Sequence, residues 1–162
     1  MKGRVEFEGF DALISEFRGA GSRAREPLFG AMRDGAPRIV NRAKRGIAKG
    51  PKTGKIYTQR FATSKSGHVF AYGSRPPHQA SAPGEYPAAD TGRLMGSIHD
   101  PQEVFVSATQ VAIDIDVNAE YAAPLEFKPA ERGGRPFMGR AADEEAPAIV
   151  ADAEARLKAA GV

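Results

Sequence analysis

Residues 22–49, SRAREPLFGAMRDGAPRIVNRAKRGIAK, decide how the chain is read. Apolar side chains recur at Leu28, Met32, Ala36, Ile39, Ala43 and Ile47, in steps that hold one stripe on one helical face. Ser22 suits an N-cap, and Glu26 and Pro27 suit a first turn. Arg38, Arg42, Arg45 and Lys49 fall on a different face. Pro37 is expected to bend the helix or split it. The cations near its end oppose the negative helix terminus, and Gly50-Pro51 stops it.

An apolar stripe of that length needs covering, so the flanking sequence is read for what covers it. Downstream, Val104 and Val106, then Val111, Ile113, Ile115 and Val117, alternate with polar or small residues. That alternation predicts a half-buried antiparallel hairpin turning near Ala108-Thr109-Gln110. Before it, Asp90 or Thr91 caps a short helix with Leu94 and Ile98 on one face. A final helix is expected from about Pro136 to Ala160, with Ile149, Ala153 and Leu157 inward and Pro147 as a place where it breaks in two. Upstream, Arg4–Glu8 alternates as a short strand, and Asp11 caps a helix carrying Leu13, Ile14 and Phe17.

Residues 50–90 differ in kind. They are rich in Gly, Pro, Ser and Thr; Ile56-Tyr57 and His68-Val69-Phe70-Ala71-Tyr72 suit short extended pieces, and 75–78 and 82–87 are too proline-rich for a helix. So long a stretch without structure is uncommon inside a compact domain. It reads as an arm or long loop that reaches a partner, or else as a surface insertion. The fold class expected is therefore α+β over a single domain, 1–162: long N-terminal and C-terminal helices packed on a small antiparallel β-sheet, with a projecting arm at 50–90.

Charge is unevenly placed. The net charge of +3 conceals a neutral segment over 1–34, ten cations and no acid over 35–84, and a net −7 over 85–162. A block of that sign attracts a polyanion or the acidic half of an identical neighbour. The second option is placed first, because both blocks sit in one chain.

The usual chemical constellations are not found. There is no cysteine, so disulfides and thiolate chemistry are excluded. His68, His78 and His99 lack metal-ligand spacing. Ser97 and His99 have no identifiable third partner for a triad. Asp114 and Asp116 read as the wet face of a strand, Gly133-Gly134 as a plain turn, and Glu144 and Glu145 as acids favoured near a helix start. No run is long and apolar enough for a membrane span, and MKGRVEFEGF lacks the apolar region of an export signal. No enzyme, cofactor, metal site or membrane association is expected.

Three segments in order carry a resemblance: Asp90-Thr-Gly-Arg-Leu-Met-Gly-Ser-Ile98, Tyr121-Ala-Ala-Pro-Leu-Glu-Phe127 and Arg135-Pro-Phe-Met-Gly-Arg-Ala-Ala142. Together with the amphipathic helix before them and the Ala/Glu-rich helix after, they resemble the siphophage head–tail joining proteins, also called neck, tail-completion or minor tail-component proteins. In that family a TGRL-x-x-SI helix precedes a hairpin, followed by Y-A-x-x-x-EFG and RPF-x-x-xA segments. His78–Ala88 is similar to an insertion carried by some members. Lys128 departs from the pattern, standing where the family has Gly, so the turn after Phe127 is expected to differ.

The resemblance implies a virion structural protein assembled in the host cytoplasm. It would form a homo-oligomeric ring at the head–tail junction of a phage or phage-like particle. Its partners would be portal-side adaptor or head-closure proteins and tail-terminator or tail-tube proteins, with non-specific contact to DNA in the channel. Candidate interface residues are Arg38, Arg42, Arg45, Lys49, Tyr57, Phe70, Tyr72, Arg93, Tyr121, Phe127, Arg135 and Phe137. Leu94, Ile98, Leu125 and Phe137 also read as plain core, and Arg93 and Arg135 as either inter-subunit ion pairs or solvated charges. The alternative function is a nucleic-acid-binding module using the basic 35–84 segment, with Tyr57, Phe61, Phe70 and Tyr72 for stacking.

Overall fold

The computed structural model describes residues 22–57, 60–72, 78–105 and 111–162. The strand and helix expected before Ser22, and the hairpin turn at 108–110, lie outside the described residues. The expected long helix is α1, Ser22–Lys49. It is neither split at Pro37 nor stopped at Pro27. Pro37 sits on the exposed side, where the carbonyl it orphans can turn to water, while Ala36, Ile39 and Val40 beside it are buried. The buried face is wider than the stripe expected from spacing: Ala24, Phe29 and Ala31 are buried toward the N-terminal end, whereas Leu28 is only partly covered.

The final helix, α4, spans Met138–Ala159, two residues shorter at its start than expected, and runs on through Pro147. Ile149, Ala153 and Leu157 are buried, as their spacing requires. The two long helices pack chiefly on one another, not side by side on a common sheet. Close approach is possible because Gly35 faces Ile149, where a β-carbon would sit 2.8 Å from the isoleucine side chain.

Among the described residues the strands form three separate two-stranded antiparallel units instead of one small sheet. Two lie within 50–90. β1 (Ile56–Tyr57) pairs with β4 (His78–Gln79), and β2 (Arg60–Thr63) pairs with β3 (Val69–Tyr72) in a hairpin, with Arg60 opposite Tyr72 and Thr63 opposite Val69. The paired strands of this stretch thus bond to one another through their backbones, which answers how so polar a segment satisfies part of its backbone. The third unit pairs β5 (Gln102–Phe105) with β6 (Val111–Asp114) and continues through an Ile98–Val117 bridge. Ile113, Ile115 and Val117 are buried and Asp114 and Asp116 half-buried, the alternation expected of a one-sided hairpin.

One apolar core joins these pieces. Ile39, Val40, Ala43 and Ile47 of α1 meet Leu94, Ile98, Ile115, Val117, Phe137 and Ile149. Leu94 lies on α2 (Arg93–Gly96), a single turn entered through Gly92 at φ 75°, a conformation that favours glycine. Ala122 of α3 (Ala122–Phe127) is buried in the same core. Tyr86 joins it as well, with Ala89 packed against it, so the 81–89 part of the 50–90 stretch belongs to the body and the expected arm is shorter than assigned. After Phe127, Lys128 is extended (φ −73°, ψ 140°), and the left-handed turn falls at Gly133 (φ 86°).

Candidate interaction surface

Three constructions govern what the surface presents. The first is a charged seam between α1 and α4. Arg38 donates from Nε and Nη2 to Glu145 Oε2 at 3.1 and 2.9 Å. Arg42 donates to Glu144 Oε2. The same carboxylate accepts the Tyr86 hydroxyl at 2.9 Å, and its other oxygen accepts Arg140 Nε at 3.0 Å. The Arg140 guanidinium lies 4.7 Å from the Tyr86 ring centre, a cation–π contact. Burial pushes the Glu144 carboxyl up, but the bonds from Arg42, Arg140 and Tyr86 outweigh it and hold the group below its ordinary value. Farther along, Arg156 donates to Asp34 at 2.7 Å and to Asp152 at 2.8 Å.

These pairs change the meaning of the charge split. Arg38 and Arg42 find their acids on α4 of the same chain. Glu144 and Glu145, expected as acids favoured near a helix start, are also the acids that hold α4 to α1. Of the expected basic face, Arg45 and Lys49 remain exposed, Arg45 reaching only the Asn41 carbonyl at 3.3 Å.

The second construction fixes the loop that carries Tyr86. Glu85 accepts the Thr53 hydroxyl at 2.5 Å, the Thr53 amide at 3.2 Å and the Ala82 amide at 2.8 Å. Chiefly through the Thr53 hydroxyl, its carboxyl is held below the ordinary value. Arg135 donates to the Ser81 carbonyl from Nη2 at 2.8 Å and from Nε at 3.2 Å, and to the Gly133 carbonyl at 3.0 Å. Arg135 therefore binds main-chain carbonyls of its own chain. Arg140 completes the clamp on the Gly84 carbonyl at 3.0 Å.

The third construction starts α4. Phe137, the N-cap residue, has no capping side chain, and the first turn holds no acid. Glu126 supplies one from α3, accepting the amides of Phe137 at 2.8 Å, Met138 at 3.0 Å and Gly139 at 2.8 Å. A carboxylate there satisfies orphan donors and opposes the positive helix end.

Compared with protein-family models, curated proteins and solved structures, the chain finds no match.

The remaining candidates divide between core and surface. Phe137 is 1% exposed and is core. Leu94 and Ile98 are core too, with Leu125 partly covered against it. Arg93 approaches Glu120 only at 3.9 Å, both side chains largely in solvent. Tyr57, Tyr121 and Phe127 are exposed, Phe127 by 71%. Tyr57 and Tyr121 line a cleft of about 550 Å³ with His78, Leu94, Leu125 and Arg135. Phe70 and Tyr72 fall on β3, opposite Ala62 and Arg60. Sequence reasoning missed Glu126, Glu85 and Tyr86. A signal for Glu126 did exist: RPFMGRAA opens a long helix with no Ser, Thr, Asp or Asn to cap it, so a remote acceptor was required. Among the described residues, no three His, Cys, Asp or Glu side chains gather as metal ligands, and no helix is long and apolar enough to cross a membrane.

Proposed function

We propose that the protein is a structural subunit of a tailed phage or phage-like particle, forming a homo-oligomeric ring at the head–tail junction between head-side adaptor and tail. The observation that carries this reading is the junction of the three resembling segments. Glu126, in the second, caps the helix at Phe137–Gly139, in the third. Leu94 and Ile98, from the first, lie in the same core as Ala122 and Phe137. Segments that build one another's geometry support a resemblance of whole folds better than three short motifs lying apart. On this reading the work is mechanical. The paired strands β1 to β4 serve as the arm, and exposed Tyr57, Tyr121 and Phe127 are covered by neighbouring subunits, where aromatic side chains serve well as anchors.

The test is assembly. Purified protein is imaged by negative stain and weighed by light scattering, alone and with head-side and tail-side partner proteins, and its position in the particle is found by immunogold labelling. Closed rings, and label at the neck, are the expected results. A chain that stays monomeric with those partners, or label confined to another part of the particle, would overturn the reading.

A further inference from the structure

Phe127 is the most exposed large apolar side chain among the described residues, at 71%. It stands at the head of a closed loop. The Arg135 amide donates to the Leu125 carbonyl at 2.7 Å, the Gly134 amide to the Pro129 carbonyl at 3.1 Å, and the Gly133 amide to the Ala130 carbonyl at 2.9 Å. Every residue from Phe127 to Arg132 is exposed. A loop that bonds to itself holds its side chains in place before a partner arrives, which lowers the ordering cost of binding. Phe127 is thus a preformed knob.

The root of the same loop walls a socket. The cleft of about 550 Å³ has Ile47, Tyr57, Leu94, Met95, Tyr121 and Leu125 in its lining. That volume falls within the roughly 300–1,000 Å³ of sites that engulf a small guest. Leu125 and Phe127 are two residues apart on α3, hence roughly 200° apart around its axis. The knob therefore faces away from the socket of its own subunit. A knob and a socket that face apart on one chain pair head to tail, the kind of contact that closes rings.

Charge agrees with that pairing. Lys128 and Arg132 stand exposed beside Phe127, against one acid, Glu131. At the socket, Asp90 is exposed on the rim, and Glu120, next to Tyr121, has a side chain 89% exposed. Arg93 lies 3.9 Å from Glu120, and Arg135 is turned to the Ser81 and Gly133 carbonyls. A cationic knob would meet a rim with two acids, so both halves of one complementary contact are present in this chain.

We infer that Phe127 of one subunit inserts into the cleft lined by Tyr57 and Tyr121 on the next copy, as the repeating contact of the ring. The inference rests on the ring reading and names the surfaces that would close it. Light scattering and sedimentation follow the full chain at concentrations where the wild type assembles, with head-side and tail-side partners added where assembly needs them. Phe127→Ala removes the knob and keeps the socket. Tyr57→Ala/Tyr121→Ala opens the socket and keeps the knob, and Thr91→Trp, which fills the cleft from its exposed rim, is a second socket variant. Each should melt near the wild type and associate about thirty-fold more weakly or worse, as for a central aromatic anchor. Equal amounts of the knob variant and a socket variant should form pairs, one copy of each, that grow no further, because the mixture restores a single contact. The inference fails if Phe127→Ala assembles like the wild type, or if both mixtures stay monomeric. It fails also if the socket variants keep self-assembly and lose only a head-side or tail-side partner, which would give the cleft to that protein. Rings built by Phe127→Ala would sink this inference and leave the ring reading standing. A wild type that stays monomeric with its partners present would end both.

Discussion

Glu126 accepts the backbone amide of Phe137 at 2.8 Å, so a six-residue helix holds the start of the longest downstream element. The bond couples two parts of the fold. Phe137 is driven into the core, and its amide, with those of Met138 and Gly139, would otherwise be an orphan donor at a helix start.

Replacing Glu126 with Ala should therefore cost about 2 kcal/mol, in the upper range for a lost cap, because a charged acceptor serves three donors. Glu126→Gln keeps one acceptor oxygen and should lose roughly half as much. Urea unfolding with an unchanged m-value measures both. Equal losses for the two variants would show that side-chain packing, not acceptance of the amides, is what matters.

Gly46 on α1 lies under the Tyr86 ring, and a β-carbon there would collide with it. Gly46→Ala sets a gain of about 1 kcal/mol in helix propensity against overpacking of about 1–3 kcal/mol. The expected result is net destabilisation, seen in thermal melting. Gly46→Ala combined with Tyr86→Ala should recover the propensity gain relative to Tyr86→Ala alone. If Gly46→Ala were stabilising in the parent, the ring would not sit where the structure places it.

Gly46 and Tyr86 also mark where reading from sequence stops. α1, α4 and the β5–β6 hairpin were legible because each repeats its own period and ends on Gly, Pro or a polar turn. Tyr86 stands between Glu85 and Pro87 with no periodic neighbours, and its pocket is built from residues on α1 and α4. The ribbon of β1 to β4 was legible only in part. Ile56-Tyr57 and 68–72 suit extended pieces and are strands, whereas Arg60–Thr63 and His78–Gln79 announce themselves only by pairing with them. Charge was legible in amount but not in partner: that Arg38 and Arg42 would meet Glu145 and Glu144 depends on how two helices lie together.

The Tyr86 hydroxyl is pushed up to about 12, first by burial and then by its bond to Glu144. A phenol held protonated by the fold contributes its full stabilisation below pH 10, its ordinary value, and loses it as pH climbs through about 12. The wild type should lose at most about 3 kcal/mol over that alkaline interval from this group. Tyr86→Phe should show a flatter alkaline limb in melts taken between those limits. A variant with the wild-type alkaline limb would place the titration elsewhere.

Arg42 and Arg45, three residues apart on α1, should separate folding from assembly. Arg42→Glu sets a carboxylate against Glu144, whose remaining bonds come from Tyr86 and Arg140, and it should lower the melting temperature, though less than Glu126→Ala, because the pair is partly solvated. Arg45→Glu with Lys49→Glu disturbs no acid of the chain, since Arg45 reaches only a main-chain carbonyl and no described acid pairs with Lys49. That double variant should melt only slightly below the wild type, through the loss of cations at the negative end of α1, and yet form fewer or smaller oligomers by light scattering if this end of α1 meets a neighbouring subunit. Unchanged mass in the double variant, with partners present, would remove Arg45 and Lys49 from the interface, and the exposed aromatics Tyr121 and Phe127 would then be the surface to alter next.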